Sequence, residues 1–339
     1  MKDFHILKRK KKTKNNPESK KKSGEHAKAQ FLKKILVAAR THAFFSLGIL
    51  LFVIDCALFT TVIFVVLLIR QSTTPKIIPF ANEKLSYPYS VKKGSDLDVS
   101  SLALVVYEKN SRIFVVEKNA ALRFSPASTA KIMSALVSLE YYPLDKVLIA
   151  DNLRSVEGSK MGLFEGESMS VENLIYGMML PSGNDAAYIL AKNYPGGVVG
   201  FVKKMNEKAL ELNLSNTYFV DPAGYEDDNY TTANDLSRLA STALNNEKFK
   251  QVVGTKQKNV FDAYGKISHE LKNLNKLLDT PGVYGIKTGF TGEAGGVLVT
   301  AYGYLGKTFI IVVLESQDRF ADTTDIISQV IGKIQLIIY

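Results

Sequence analysis

The chain has 339 residues, 46% hydrophobic and 22% charged, with one Cys, no Trp and a formal net charge of +10. That balance excludes a fibrous, low-complexity or disulfide-stapled protein. The positive charge is local: residues 1–40 hold 14 Lys/Arg against 3 Asp/Glu and the rest of the chain carries a net of −1, so nucleic-acid binding is not implied for the folded part.

Residues 1–42 contain Lys8-Arg9-Lys10-Lys11-Lys12 and Lys20-Lys21-Lys22 among Asn, Ser and Pro. A segment with so few apolar side chains cannot bury a core and is expected to be a disordered tail. Its charge reads as a topology signal that also touches anionic lipid. Residues 43–69 are almost unbroken Phe, Leu, Ile and Val, and about 20 such residues span a bilayer. A signal-peptide core is shorter, about 7–15 residues, with a small-residue cleavage site behind it. Here Ile69-Arg70-Gln71-Ser72 follows, so the segment reads as an uncleaved transmembrane signal anchor. Asp55 costs about 2.5–3.5 kcal/mol at the bilayer centre. The apolar residues, at about −0.3 to −0.6 kcal/mol each, outweigh it. The excess of Lys/Arg before the span places the N-terminus in the cytoplasm. The chain is therefore expected to be a single-pass cell-membrane protein with everything after the span outside. Cys56 lies within the span, which leaves the external part without disulfides.

Residues 70–99, with Pro75, Pro79 and Pro88, read as a linker. The folded domain is then 100–339. It opens with apolar runs at 102–107 and 113–116 around Asn110-Ser111, a β-hairpin pattern. Pro126 suits the first turn of a helix and Ser125 its N-cap. Helical spacing returns over 171–194 and 198–212. Strand-like runs fall at 283–287, 296–302 and 308–314, and 322–338 reads as a final amphipathic helix. Strands at both ends with helices between them predict an α+β fold around one antiparallel sheet.

Three motifs carry chemistry. Ser128 and Lys131 in Ser128-Thr129-Ala130-Lys131 share one helix face. A serine hydroxyl needs a base within hydrogen-bond reach, and a lysine whose ammonium form is disfavoured by burial can serve. Ser182 and Asn184 stand in Leu180-Pro181-Ser182-Gly183-Asn184-Asp185, at the start of a helix. Lys287, Thr288, Gly289, Phe290 and Thr291 close a strand. The set fits acyl transfer: Ser128 attacks, Lys131 takes the proton, and Ser182 relays it to the leaving group. Asn184 orients Lys131 or the substrate amide. Lys287, Thr288 and Thr291 hold a substrate carboxylate, and Gly289 lets a substrate strand approach. The backbone N–H groups of Ser128 and Phe290 form an oxyanion hole. A Ser-His-Asp hydrolase is excluded, because His5, His26 and His42 precede or border the span. The remaining histidine, His269, takes no role, and its replacement is expected to matter little. The same shortage leaves no metal cluster, and no cofactor is expected.

Ser-x-x-Lys, Ser-x-Asn and Lys-Thr-Gly together mark penicillin-binding proteins and class A β-lactamases. The chain resembles the D-alanyl-D-alanine carboxypeptidases among them, the low-molecular-mass penicillin-binding serine peptidases. Further motifs carry the resemblance: Phe201-Val202-x-x-Met205-Asn206, Asn216-Thr217-x-Phe219-x-Asp221-Pro222-x-Gly224, Asn273-x-Asn275-Lys276-Leu277-Leu278 and Ala294-Gly295. It implies a five-stranded antiparallel sheet flanked by helices, with a helical subdomain. It also implies peptidoglycan stem peptides ending in D-Ala-D-Ala as substrates and β-lactams as inhibitors. By the same resemblance Arg319 helps hold the terminal carboxylate. Tyr218 and Asp221 depart from the family's usual His and Asn, so no catalytic role is given to them.

Three other readings remain open. A D,D-endopeptidase would use the same residues. A class A β-lactamase would need a Glu-x-x-Leu-Asn element, which Glu207-Lys208-Ala209-Leu210-Glu211 approaches without completing. An inactive peptidoglycan-binding protein would not be acylated by penicillin.

Overall fold

The computed structural model describes residues 48–67, 86–90 and 92–338, with positions 32–34, 36 and 40 upstream in helix. Apart from those positions, the expected disordered tail and residues 70–85 of the expected linker lie outside the described residues. Two units are present, Met1–Glu83 and Lys84–Tyr339.

In the first unit, α1 (Gly48–Leu67) is a 20-residue helix of mean hydropathy 2.8 with no part of it buried in protein. It is long and apolar enough to cross a membrane. Thr60 and Thr61 donate their hydroxyls to the Ala57 carbonyl, which satisfies both polar groups inside the helix.

The second unit begins with β1 (Ser86–Tyr89), β2 (Ala103–Glu108) and β3 (Ile113–Lys118). A short 3-10 turn, Ala127–Ala130, runs directly into α2 (Lys131–Tyr141). The subdomain follows as β4 (Val147–Ile149), β5 (Ser168–Ser170), α3 (Val171–Met179), α4 (Asn184–Lys192) and α5 (Gly197–Glu211). Then come α6 (Ala233–Ala243), α7 (Glu247–Val253), β6 (Gln257–Phe261) and β7 (Ser268–Lys272). The chain returns through β8 (Val283–Thr291), β9 (Gly295–Tyr304) and β10 (Lys307–Ser316), and closes with α8 (Arg319–Gln329) and β11 (Gln335–Ile338).

The expected five-stranded antiparallel sheet is present, in the order β3-β2-β10-β9-β8. Its centre explains the apolar run of β10. Successive side chains of a strand face opposite sides. Ile310, Val312 and Leu314 enter one core with α2, α3 and α4. Phe309, Ile311 and Val313 enter a second core with Ile326 of α8. A strand covered on both faces has no polar alternation to show.

Two expectations are corrected. The helical stretch 171–194 is two helices. Leu180 keeps right-handed helical backbone, with φ −72° and ψ −69°, but Pro181 offers no N–H to continue α3, and Ser182 lies at φ 65°. The final helix stops at Gln329, and Gln335–Ile338 pairs antiparallel with Ser86–Tyr89. The Ile-rich end finds a partner strand in a segment read as linker, and pairing outweighs local propensity.

Candidate active site

The turn bearing Ser128 is not the regular helix start that Ser125 and Pro126 suggested. Ala127 sits at φ 45°, a conformation costing a non-glycine residue about 1–2 kcal/mol. Such strain persists only when the surroundings impose it. They do so from two sides. A Cβ on Gly289 of β8 would lie 3.1 Å from the Pro126 carbonyl oxygen and 3.2 Å from Ser128 N. A Cβ on Gly224, at φ 70°, would lie 2.7 Å from the Ala130 Cβ. Gly289 therefore permits close approach of the chain to its own serine turn, rather than only of a substrate strand.

Lys131 opens α2 and is 0% exposed. Its Nζ lies 2.8 Å from Ser128 Oγ and donates to the Ala223 carbonyl at 2.8 Å. Burial lowers its pKa to about 7, against the opposing charges of Asp221 and Asp185. Loss of hydration disfavours the ammonium form more than two carboxylates restore it. The amine is thus available to accept the Ser128 proton near neutrality.

Sequence reasoning gave Asp221 no part, yet it builds the wall that anchors Lys131. Its carboxylate accepts from the N–H groups of Ala223, Gly224, Tyr225 and Glu226 and from Asn229 Nδ2. That holds the Ala223 carbonyl where Lys131 meets it. The Asp-Pro-x-Gly turn was legible; its contact with residue 131 was not. Asp185 has a similar part. It accepts from the N–H groups of Met161, Gly162 and Leu163 and so ties α4 to the loop beside the site.

Ser182 and Asn184 are buried at the start of α4, and among the described residues Ser182 Oγ and Asn184 Oδ1 have no hydrogen-bond partner. Asn184 Nδ2 donates to the Glu157 carbonyl at 2.7 Å. Among the described residues no hydrogen bond joins Asn184 to Lys131, which Ala223 holds instead, so of the two expected roles for Asn184 the contact with the substrate amide is the one left.

Lys287 and Thr288 are buried in β8, and Phe290 is exposed at its end. Lys287 Nζ donates to the Thr288 carbonyl at 3.1 Å. Its pKa lies well below the ordinary lysine value, first through burial and then through the charges of Lys131 and Arg319. Thr291 Oγ1 accepts from Ala294 N. Arg319, the first residue of α8, places its guanidinium 5.8 Å from the centre of the Phe290 ring, and its Nε lacks a partner among the described residues. Burial lowers its pKa too.

Of these groups Ser128, Asn184, Phe290 and Thr291 line a cleft of about 610 Å³, together with Glu226, Asp227 and Glu293. His269 lies elsewhere. It is buried, with Nε2 2.7 Å from Glu167 Oε1, so it is a packed partner of a carboxyl rather than an idle residue.

The family described as D-alanyl-D-alanine carboxypeptidase matches residues 90–318. D-alanyl-D-alanine carboxypeptidase DacF of Bacillus subtilis (strain 168) is 36% identical over 211 residues, covering 60% of this chain and 54% of that protein. The chain thus matches about half the length of that relative. The D-alanyl-D-alanine carboxypeptidase of Streptomyces sp. (strain K15) is 39% identical, covering 62% of this chain and 80% of its own. The D-alanyl-D-alanine endopeptidase of Pseudomonas aeruginosa is 34% identical, covering 67% of this chain and 76% of its own. The crystal structure of the Streptomyces K15 DD-transpeptidase superposes with a TM-score of 0.65 at 34% identity, over 68% of this chain and 97% of that one.

Proposed function

The chain belongs to the D-alanyl-D-alanine carboxypeptidase family, and we propose that it removes the terminal D-Ala from peptidoglycan stem peptides through an acyl-enzyme on Ser128. The observation that carries this is the 2.8 Å contact of Ser128 Oγ with a buried lysine whose pKa is lowered to about 7. Lys131 takes the hydroxyl proton as Oγ bonds to the carbonyl carbon of the penultimate residue. The N–H groups of Ser128 and Phe290 receive the developing oxyanion. The C–N bond then breaks, and the leaving amine takes its proton by way of Ser182. Asn184 meets the substrate amide with its unpartnered oxygen. Water completes hydrolysis of the ester, so protein groups and water suffice.

Lys287, Thr288, Thr291 and Arg319 receive the terminal carboxylate. Lys287, whose charge is disfavoured by burial and then by Lys131 and Arg319, regains a charge-assisted contact when an anion binds. β-Lactams enter the same route as inhibitors that remain on Ser128. α1 is proposed as the membrane anchor, with the basic tail in the cytoplasm and the catalytic domain outside. The likeness to the endopeptidase of Pseudomonas aeruginosa favours a second reading, cleavage of cross-links by the same residues.

Incubation of the protein with a peptide ending in D-Ala-D-Ala should release free D-Ala. Intact mass after penicillin treatment should show one adduct, lost in Ser128→Ala. A Ser128→Ala protein that still carries the adduct would exclude Ser128 as nucleophile.

A further inference from the structure

A second groove, of about 670 Å³, opens between the tip of the β2–β3 hairpin, the end of α5 and α6. Glu108, at the hairpin tip, pairs with Phe309 near the start of β10. Phe290 pairs with Gly296, which in turn pairs with Ser316 at the end of β10. The groove therefore lies at the opposite end of the sheet from the Ser128 cleft, about 20 Å along the strand. The hairpin tip presents Arg112. Buried Glu108 accepts from the N–H groups of Asn110 and Ser111, one on each carboxylate oxygen. That closes a tight turn with Arg112 at φ 59°. Among the described residues Arg112 makes no hydrogen bond or ion pair. Across the groove, Arg238 of α6 lies 5.2 Å from the centre of the Phe114 ring and 3.9 Å from Asp235. Lys109 Nζ donates to a neutral acceptor, Asn245 Oδ1, at 2.7 Å. Glu211 also lines the groove, but it is engaged by Lys208 at 2.8 Å and Lys204 at 3.3 Å.

A separate feature of the groove points to a ligand. Tyr107 is 5% exposed and lines it, and its hydroxyl has no hydrogen-bond partner among the described residues. Its ring packs against Phe114 at 5.0 Å. Burial raises its pKa, and the charges of Arg112 and Arg238 act against that rise, so both guanidiniums face one phenol. A hydroxyl buried without a partner calls for one from outside. One guanidinium fork already satisfies the two oxygens of a carboxylate. Two forks converging beside a phenolic O–H suit the tetrahedral oxygens of a phosphate. The groove also continues. Lys109, Asn110 and Asn245 line an adjoining cavity of about 220 Å³ together with Lys250, whose neighbouring acid is the exposed Glu247 at 3.9 Å. Cations spaced along a groove suit an anion that repeats.

We propose that Arg112, Arg238 and Tyr107 hold one phosphate of a phosphodiester-linked polymer, with the next phosphate at Lys109 and Lys250. The groove docks the domain on an anionic polymer and takes no part in bond cleavage. It stands or falls independently of the peptidase reading.

The test uses the full chain in phosphatidylcholine nanodiscs and follows modification of single arginines by phenylglyoxal, read by peptide mass mapping. That readout separates the groove from the basic tail, which also attracts polyanions. Soluble poly(glycerol phosphate) at about ten times its Kd should slow modification of Arg112 and Arg238 about tenfold. Arg154, outside the groove, should be modified at an unchanged rate. Arg112→Gln should weaken the polymer's protection of Arg238 by about tenfold or more, the worth of a lost charge-assisted contact. It should leave penicillin labelling of Ser128 and release of D-Ala as in the parent. Unchanged modification of Arg112 and Arg238 with polymer present overturns the proposal, and so does equal slowing at Arg154. Equal protection by polyglutamate overturns the choice of phosphate. Equal protection by inorganic phosphate at the same phosphate concentration overturns the polymer. Protection seen only when the nanodisc carries phosphatidylglycerol overturns it as well, and assigns the groove to a lipid headgroup. The parent protein alone decides these arms, so the outcome does not hang on the folding of Arg112→Gln.

Discussion

Lys131 Nζ donates to the carbonyl oxygen of Ala223, 92 residues further along the chain, at 2.8 Å. That contact fixes the amine beside Ser128 without giving it a carboxylate partner. A directly paired carboxylate would hold the proton on the lysine. A carbonyl positions the group while burial keeps its proton affinity low.

The role of Lys131 as base can be separated from a role as bare charge. Arginine keeps the charge but does not lose its proton in proteins. Lys131→Arg is expected to fold and to lose acylation by at least about 10²–10⁴, the usual worth of general-base help. Acylation rates with a chromogenic β-lactam, with thermal melts as control, decide it. A folded Lys131→Arg protein acylating within a few-fold of the parent removes Lys131 from this role.

The pH dependence follows with a definite sign. In the proposed mechanism the neutral amine is the active form, and its pKa is lowered to about 7. Protonation below that value removes the base. The acylation rate should fall about tenfold per unit below pH 7 and level off above it. A rate that rises as the pH drops from 8 to 5 would contradict the neutral-base role.

Lys287 should make the terminal carboxylate a requirement. It is buried, and both its desolvation and its cationic neighbours disfavour its charge until an anion arrives. A peptide amidated at its C-terminus should be cleaved far more slowly than the acid, by about 10-fold or more if one charge-assisted contact is lost. Equal kcat/KM for acid and amide would favour the endopeptidase reading.

His269 should matter to stability more than to chemistry. Its ring lies 2.7 Å from Glu167 Oε1, and the Glu167 side chain is 0% exposed. Glu167 Oε2 also accepts from Phe164 N at 2.9 Å. His269→Ala would leave a buried carboxyl oxygen unpaired, at a cost of about 1–3 kcal/mol. Thermal melting should show a drop of about 2–4 °C per kcal/mol, with penicillin labelling of Ser128 retained. An unchanged melting temperature would show that the pair contributes nothing.

The proposed topology is checked on intact spheroplasts. Added protease should remove the catalytic domain and spare the basic tail. Loss of the tail alone would reverse the orientation.

Much of this was legible in the order of residues. The apolar run that became α1 needs only length and hydropathy. The central strand was legible as an apolar run at 308–314, because a strand covered on both faces is apolar throughout. Ser128 and Lys131 were legible as a pair because three residues are one helical turn, and their contact survives although the turn is 3-10 rather than α. The motifs around 182 and 287 named the residue types but not their distances.

What the fold alone decided lies in contacts between residues far apart in the chain. Only tertiary packing puts Ala223 against Lys131, crowds Lys287 with Lys131 and Arg319, and brings Asp227 beside Glu293. The same holds for Asp221, whose part rests on four backbone N–H groups and one side-chain amide that no spacing announces. The last strand shows the limit from the other side. Residues 335–338 have no strand until residues 86–89 offer an edge, since a β-strand gets its hydrogen bonds from a neighbour while a helix gets them from itself. The chemical types at this site are therefore local information. Their proton affinities are not, because burial and neighbouring charge exist only once the chain has folded.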